Sequence, residues 1–110
     1  LAQGSYREAA DFFSRSAALD GTRADLYYYT GVCLVALNEY DQAILAFTQS
    51  IARGESLANS YYNRGVCYAA LEDYENAYED MQSALAASGD AELTASAADL
   101  RDKLAKALGK

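Results

Sequence analysis

Residues 24–57, ADLYYYTGVCLVALNEYDQAILAFTQSIARGESL, align with residues 58–91, ANSYYNRGVCYAALEDYENAYEDMQSALAASGDA, after a shift of 34 positions. Tyr27/Tyr61, Tyr28/Tyr62, Gly31/Gly65, Val32/Val66, Cys33/Cys67, Leu37/Leu71, Tyr40/Tyr74 and Ala43/Ala77 coincide. A repeat of this length is one supersecondary unit that cannot bury its apolar face alone. Neighbouring copies stack and share a continuous core, which makes a quasi-one-dimensional scaffold with an extended surface.

Outward from the repeats the apolar spacing stays helical, the chain is rich in Ala and Leu, and it contains no proline. Six helices are predicted: Gln3 to Leu19, Ala24 to Leu37, Asp41 to Arg53, Ala58 to Leu71, Tyr74 to Ala87 and Asp90 to Leu108. Breaks fall at Asp20-Gly21-Thr22, Asn38-Glu39, Gly54-Glu55-Ser56, Glu72-Asp73 and Ser88-Gly89-Asp90, where turn and cap residues cluster. Turns this short set neighbouring helices antiparallel.

The 110 residues suit one domain with one modest core. No apolar run approaches the roughly 20 residues of a membrane span, so this segment is not expected to insert in a bilayer. Net charge is −7, and residues 1–90 carry 13 acids against 5 bases. All three lysines, Lys103, Lys106 and Lys110, lie in the last eight residues. Nucleic acid is therefore not an expected partner, because gripping a phosphate backbone needs clustered bases. Cys33 and Cys67 hold the same place in successive repeats, on helices expected about 8–10 Å apart, beyond the reach of a disulfide; two buried thiols are expected.

These residues make the chain resemble the tetratricopeptide repeat family, whose signature runs aromatic, apolar-Gly, aromatic or Leu, Ala-x-x-x-aromatic, and often Pro. One copy reads Tyr27, Thr30-Gly31, Leu34, Ala43, Phe47; the next reads Tyr61, Arg64-Gly65, Tyr68, Ala77, Met81. Upstream, Tyr6, Ala9 and Phe13 repeat Tyr40, Ala43 and Phe47, so Gln3 to Leu19 resembles the second helix of an incomplete repeat. The resemblance implies an all-α α-solenoid of antiparallel helix pairs in a right-handed superhelix. Its divisions are residues 1–23 for the half repeat, 24–57 and 58–89 for full repeats, and 90–110 for a capping helix with Asp99, Asp102, Lys103 and Lys106 outward. Departures are Gly21, Glu55 and Gly89 at the Pro position, and Thr30 and Arg64 at a usually apolar one. Arg64 is expected to snorkel or to pair with an acid of a neighbouring helix.

Packing explains the signature: Gly31 and Gly65 admit close approach, Ala43 and Ala77 face them, and Tyr27, Tyr61 and Tyr68 belong to the core. Ala9, Phe13 and Ser16 should face a helix that lies outside this sequence, which leaves two readings, an upstream segment or a homodimer through the N-terminal helix.

In the family the first helices of successive repeats line a concave groove. That implies a ligand face of Asp25, Tyr28, Tyr29, Val32 and Val35, then Asn59, Tyr62, Asn63, Val66 and Ala69, then Thr94, Ala98 and Arg101. Such a wall is tyrosine-rich and mildly polar, suited to a peptide segment or partner helix. Some members grip a terminal carboxylate with Lys and Asn; here only Asn63 fits, while Tyr28, Val32, Ala91 and Ala95 stand at the other places, so no such clamp is expected.

With no histidine, no CxxC or HExxH spacing and no base beside either cysteine, neither catalysis, a metal nor a cofactor is expected. Glu72, Asp73, Glu75, Glu79 and Asp80 read as a solvated acidic helix start, because the helix dipole favours acids there. The leading expectation is a non-catalytic protein-interaction module. A regulatory or targeting segment of a larger enzyme is the alternative, and the compartment is cytoplasmic by default or, alternatively, that of an exported lipoprotein-type segment.

Overall fold

The computed structural model describes residues 3–110, which form α1 (Gln3–Leu19), α2 (Asp25–Ala36), α3 (Tyr40–Ala52), α4 (Leu57–Ala70), α5 (Tyr74–Ala87) and α6 (Ala91–Ala107). Helix ends differ from the expected ones by at most one residue, and there is no strand among the described residues. Each helix packs against the next in sequence. The chain spans 43 × 26 × 21 Å, elongated along the stack as a repeat array must be.

The close approach within each repeat has a specific geometry. A methyl group built on Gly31 would lie 2.6 Å from Phe47 Cε1 and 2.7 Å from Cζ, so the ring of α3 rests directly on the α2 backbone. At Gly65 the same position is taken by Met81 Cε, with Asp80 Cβ at 3.0 Å. Phe47, Met81, Ala43 and Ala77 are fully buried. One cluster joins Ala10, Cys33, Leu34, Ala43, Ala46, Phe47 and Cys67 across α1 to α4; a second joins Ala77, Met81, Ala84, Ala97 and Leu104 in α5 and α6.

The turns repeat as faithfully as the helices. Asn38 and Glu72, 34 positions apart, both adopt left-handed φ values of 59° and 63°. In each case the next amide reaches back five residues, Glu39 N to Leu34 O at 2.9 Å and Asp73 N to Tyr68 O at 2.8 Å, closing the helix end. Between the repeats, Ser50 and Ser60 are both fully buried and both donate to the Glu55 carbonyl, at 2.9 and 3.1 Å. Their hydroxyls lie 3.0 Å apart, so the joint between repeats is fastened by polar bonds inside the core.

Two expectations are corrected. Asp80 does not sit on a solvated face: it is 4% exposed and accepts from Arg64 Nε and Nη2, each at 2.8 Å. Asp73 caps α5 by accepting from the Asn76 amide, while Glu72, Glu75 and Glu79 are exposed as expected. The helix period explains the difference, since Asp80 follows Ala77 by three and precedes Ala84 by four, which puts it on the face those two buried alanines share. Phe13 is likewise not bare. Its ring packs 5.6 Å from that of Tyr29, and the open face of α1 belongs to Phe12 and Leu19, 66% and 90% exposed.

Arg64 takes the pairing role expected of it and adds to it. Its Nη1 donates to Thr48 Oγ1 on α3 at 3.1 Å, and its guanidinium lies over the rings of Tyr61 at 5.6 Å and Tyr68 at 5.7 Å. One side chain thus ties α3, α4 and α5, and the Asp80 hydrogen bond raises its pKa further. Tyr27, Tyr61 and Tyr68 are half-buried rather than sealed in the core, each with a guanidinium against its ring, Arg53 for Tyr27 at 4.4 Å. Cys33 and Cys67 are buried free thiols, and burial pushes the Cys67 thiol up to about 11.

Three outcomes follow from this packing. Gly31→Ala should cost about 1–3 kcal/mol in chemical denaturation because a well-packed ring must move, whereas Gly4→Ala, with open space around it, should not destabilise. Asp80→Ala should cost about 3 kcal/mol by stranding a largely buried guanidinium, and Arg64→Leu/Asp80→Ala together should cost less than Asp80→Ala alone. For Cys67 the folded pKa is raised, so the unfolded chain loses the thiol proton first: stability is unaffected below the ordinary thiol range and declines as pH climbs towards about 11. Denaturation midpoints at several alkaline pH values should fall more steeply for the native chain than for Cys67→Ala.

Candidate peptide-binding groove

Curvature defines which face could hold a ligand. Helices α2 and α4 touch each other directly, as do α4 and α6, whereas α1, α3 and α5 are not in direct mutual contact. The α2/α4/α6 row is therefore the shorter, inner side of the bend, and all the residues expected to line a groove lie on these three helices.

On α2, the half-buried Tyr28 ring lies 5.8 Å from that of Phe47 and 5.9 Å from that of Tyr29. The Tyr28 hydroxyl accepts from Asn63 Nδ2 of α4 at 3.3 Å, a bond that spans the two repeats. Burial raises the Tyr28 pKa, and the Asn63 bond opposes the rise. Tyr28 therefore stays a neutral phenol, and having accepted from Asn63 it keeps its own proton to donate. Tyr29 and Val32 are 45% and 41% exposed beside it, and Asn59 is exposed on α4. Tyr62, Asn63, Val66, Ala69 and Ala98 are half-buried, with Tyr62 and Ala69 packed on the second core cluster and Val35 on the first.

Three expected residues are engaged locally. Asp25 accepts from Arg23 Nε and Nη2 at 3.1 and 3.0 Å, and this partner lowers its pKa. Thr94 donates to Ser88 Oγ at 2.9 Å in the turn before α6, and Arg101 pairs with Asp102. The structure thus joins Tyr28 to Tyr29 by ring contact and to Asn63 by a hydrogen bond, with Val32 and Tyr62 on the same two helices, while Asp25, Thr94 and Arg101 each have a partner of their own.

Sequence reading missed two elements of this wall and its support. The Tyr28–Asn63 bond spans 35 positions, one more than the repeat, a spacing that would have disclosed it. The Thr48–Arg64–Asp80 chain advances in steps of 16, from one helix to the next along α3, α4 and α5. Chemically the wall offers phenol and amide hydrogen bonds among apolar rings, with no free charge at its centre. Among the described residues no cluster of three or more His, Cys, Asp or Glu could hold a metal ion, and no helix is long and apolar enough to cross a membrane.

Comparison with known proteins agrees with this architecture. The chain superposes on a T3SS complex from Aeromonas hydrophila with a TM-score of 0.88 at 24% identity, over 96% of this chain and 73% of that one. It superposes on PcrH in complex with the chaperone binding region of PopD with a TM-score of 0.86 at 22% identity, over 94% and 81%. The first tetratricopeptide repeat domain of Spaghetti (RPAP3), bound to the HSP90 peptide SRMEEVD, gives 0.83 at 24% identity, over 98% and 83%. No curated protein sequence matches. At these identities the superpositions speak for the fold alone, but two tetratricopeptide repeat family models match the sequence itself, one over residues 34–92 and one over residues 1–55. With the repeated glycine contacts, the helix pairs and more than half of its length under one of these models, the chain belongs to the tetratricopeptide repeat family.

Proposed function

We propose that this chain is a non-catalytic interaction module that holds a peptide segment or a partner helix against the wall of Tyr28, Tyr29, Val32, Tyr62 and Asn63. The observation that carries the reading is the Tyr28–Asn63 bond between repeats: it presents a fixed phenol, backed by Phe47, beside apolar surface left open at Tyr29 and Val32. A ring already ordered by packing loses little entropy when a ligand arrives, which is what makes tyrosine an efficient contact residue. Structures of similar fold, PcrH with a region of PopD and the Spaghetti domain with an HSP90 peptide, support binding of a protein segment by such an array.

The preferred segment is uncharged or apolar rather than acidic. Ala91 and Ala95 are exposed where a carboxylate clamp would need bases, Arg101 is paired with Asp102, and the net charge of −7 disfavours an acidic ligand. Neutral carbonyl groups along an extended backbone match the Tyr28 hydroxyl and the Asn63 and Asn59 amides.

Affinity capture with the full chain, identification of the bound segment, and calorimetric titration with that segment test this. Tyr28→Ala/Tyr62→Ala should weaken binding at least tenfold, about 1.4 kcal/mol, while far-ultraviolet circular dichroism stays helical. Tyr28→Phe, which removes only the hydroxyl, should weaken it less. Equal affinity in all three chains would refute the site.

A further inference from the structure

The face of α1 that no other helix among the described residues covers carries a pattern that fits a second copy of itself. Glu8, Asp11, Phe12, Arg15, Ser16 and Leu19 line a shallow groove of about 420 Å³. They recur at three- and four-residue steps, so they form one stripe along the helix. Phe12 and Leu19 on this stripe are among the most exposed large apolar side chains of the described residues, and Glu8 and Arg15 form no ion pair among those residues.

We propose that two copies of the chain associate through antiparallel α1 helices, with the two-fold axis passing between Asp11 and Phe12. In that register Glu8 of each copy stands opposite Arg15 of the other, each about one helical turn from the axis. Leu19 stands about two turns away, opposite Gly4 of the other copy. Gly4 has no heavy atom within 4 Å of where a side chain would begin, so the leucine has room to lie on bare backbone. Phe12 of each copy stands opposite Asp11 of the other, and the two Phe12 rings, each held edge-on by Phe13 with ring centroids 5.8 Å apart, meet beside the axis. Two ion pairs, two leucine-on-glycine contacts and one aromatic contact thus arise from a single choice of axis. A two-fold contact requires this kind of self-complementarity, and the opposite charges at equal distances from one point supply it. The alternation of Glu8, Asp11 and Arg15 fits a copy of itself better than a strongly basic or strongly acidic partner. The interface is independent of the α2/α4/α6 wall, so its failure would leave the proposed function untouched.

One helix per copy makes a small interface, so the dimer should dissociate in the micromolar range or above. Sedimentation velocity from about 1 µM to about 1 mM should show a reversible monomer–dimer equilibrium that weakens as salt is raised. Phe12→Asp should raise the dissociation constant at least tenfold, with helicity unchanged because Phe12 is exposed. Glu8→Arg alone and Arg15→Glu alone should each be monomeric over the range where the native chain dimerises, since each sets like charges face to face twice. An equimolar mixture of the two variants should dimerise again, because every opposed pair is then complementary. A native chain that stays monomeric at 1 mM would overturn the proposal. So would a dimer indifferent to Phe12→Asp, or one that mixing the two charge variants does not restore.

Discussion

The contact on which the rest of this structure depends is the seating of a bulky side chain on a glycine backbone inside each repeat. Phe47 on Gly31 and Met81 on Gly65 bring paired helices closer than any side chain at those glycines would permit. Close approach brings Ala43 and Ala77 to full burial and positions α4 against α3. Because the seat recurs every 34 residues, the displacement between helix pairs also recurs, and the bend that makes α2, α4 and α6 an inner row is its accumulated result. The inner row is therefore a consequence of core packing, not a separately built feature.

The two repeats solve the same geometric problem with different chemistry. In the first, Thr30 is buried and donates to the Leu26 carbonyl at 2.7 Å, opposite Ala46. In the second, Arg64 and Asp80 hold the equivalent places and form a bidentate pair backed by Thr48 and two tyrosine rings. An ion pair in such surroundings contributes little net stability compared with an apolar filling, because both partners lose water. It does make the arrangement of α3, α4 and α5 specific, since a guanidinium fork satisfied by Asp80 and Thr48 together has few alternative positions. The buried Ser50–Ser60 contact has a comparable effect at the joint between repeats, where a polar bond to Glu55 orients the chain as it enters α4.

Legibility in the sequence followed the repeat. Features that occur twice, such as the helices, the glycine seats and the turn residues Asn38 and Glu72, were readable because each copy corroborates the other and helical periodicity assigns the buried face. Features that occur once were not. Asp80 belongs to a run of acids and reads as solvated until Arg64 is seen beside it, and Phe12 is indistinguishable from Phe13 until Tyr29 covers one of them. On the candidate wall, period and helix face located Tyr28, Tyr62 and Asn63, but the same logic also nominated Asp25, Thr94 and Arg101, whose side chains are held by neighbours no more than six residues away.

By itself the sequence determined the class of the molecule: a spacing of 34, alternate large and absent side chains, and helical apolar periods leave a stack of antiparallel helix pairs as the only way to bury what must be buried. It also determined that the inner row would be rich in tyrosine. Only the tertiary structure decided which polar groups meet, that Tyr28 is bridged to Asn63, that Asp80 is inside, and that the bare stripe of α1 runs through Phe12 and Leu19. Burial patterns are periodic and so can be read along one dimension, whereas a hydrogen bond or ion pair depends on distances of a few tenths of an ångström between side chains brought together by the packing of separate helices.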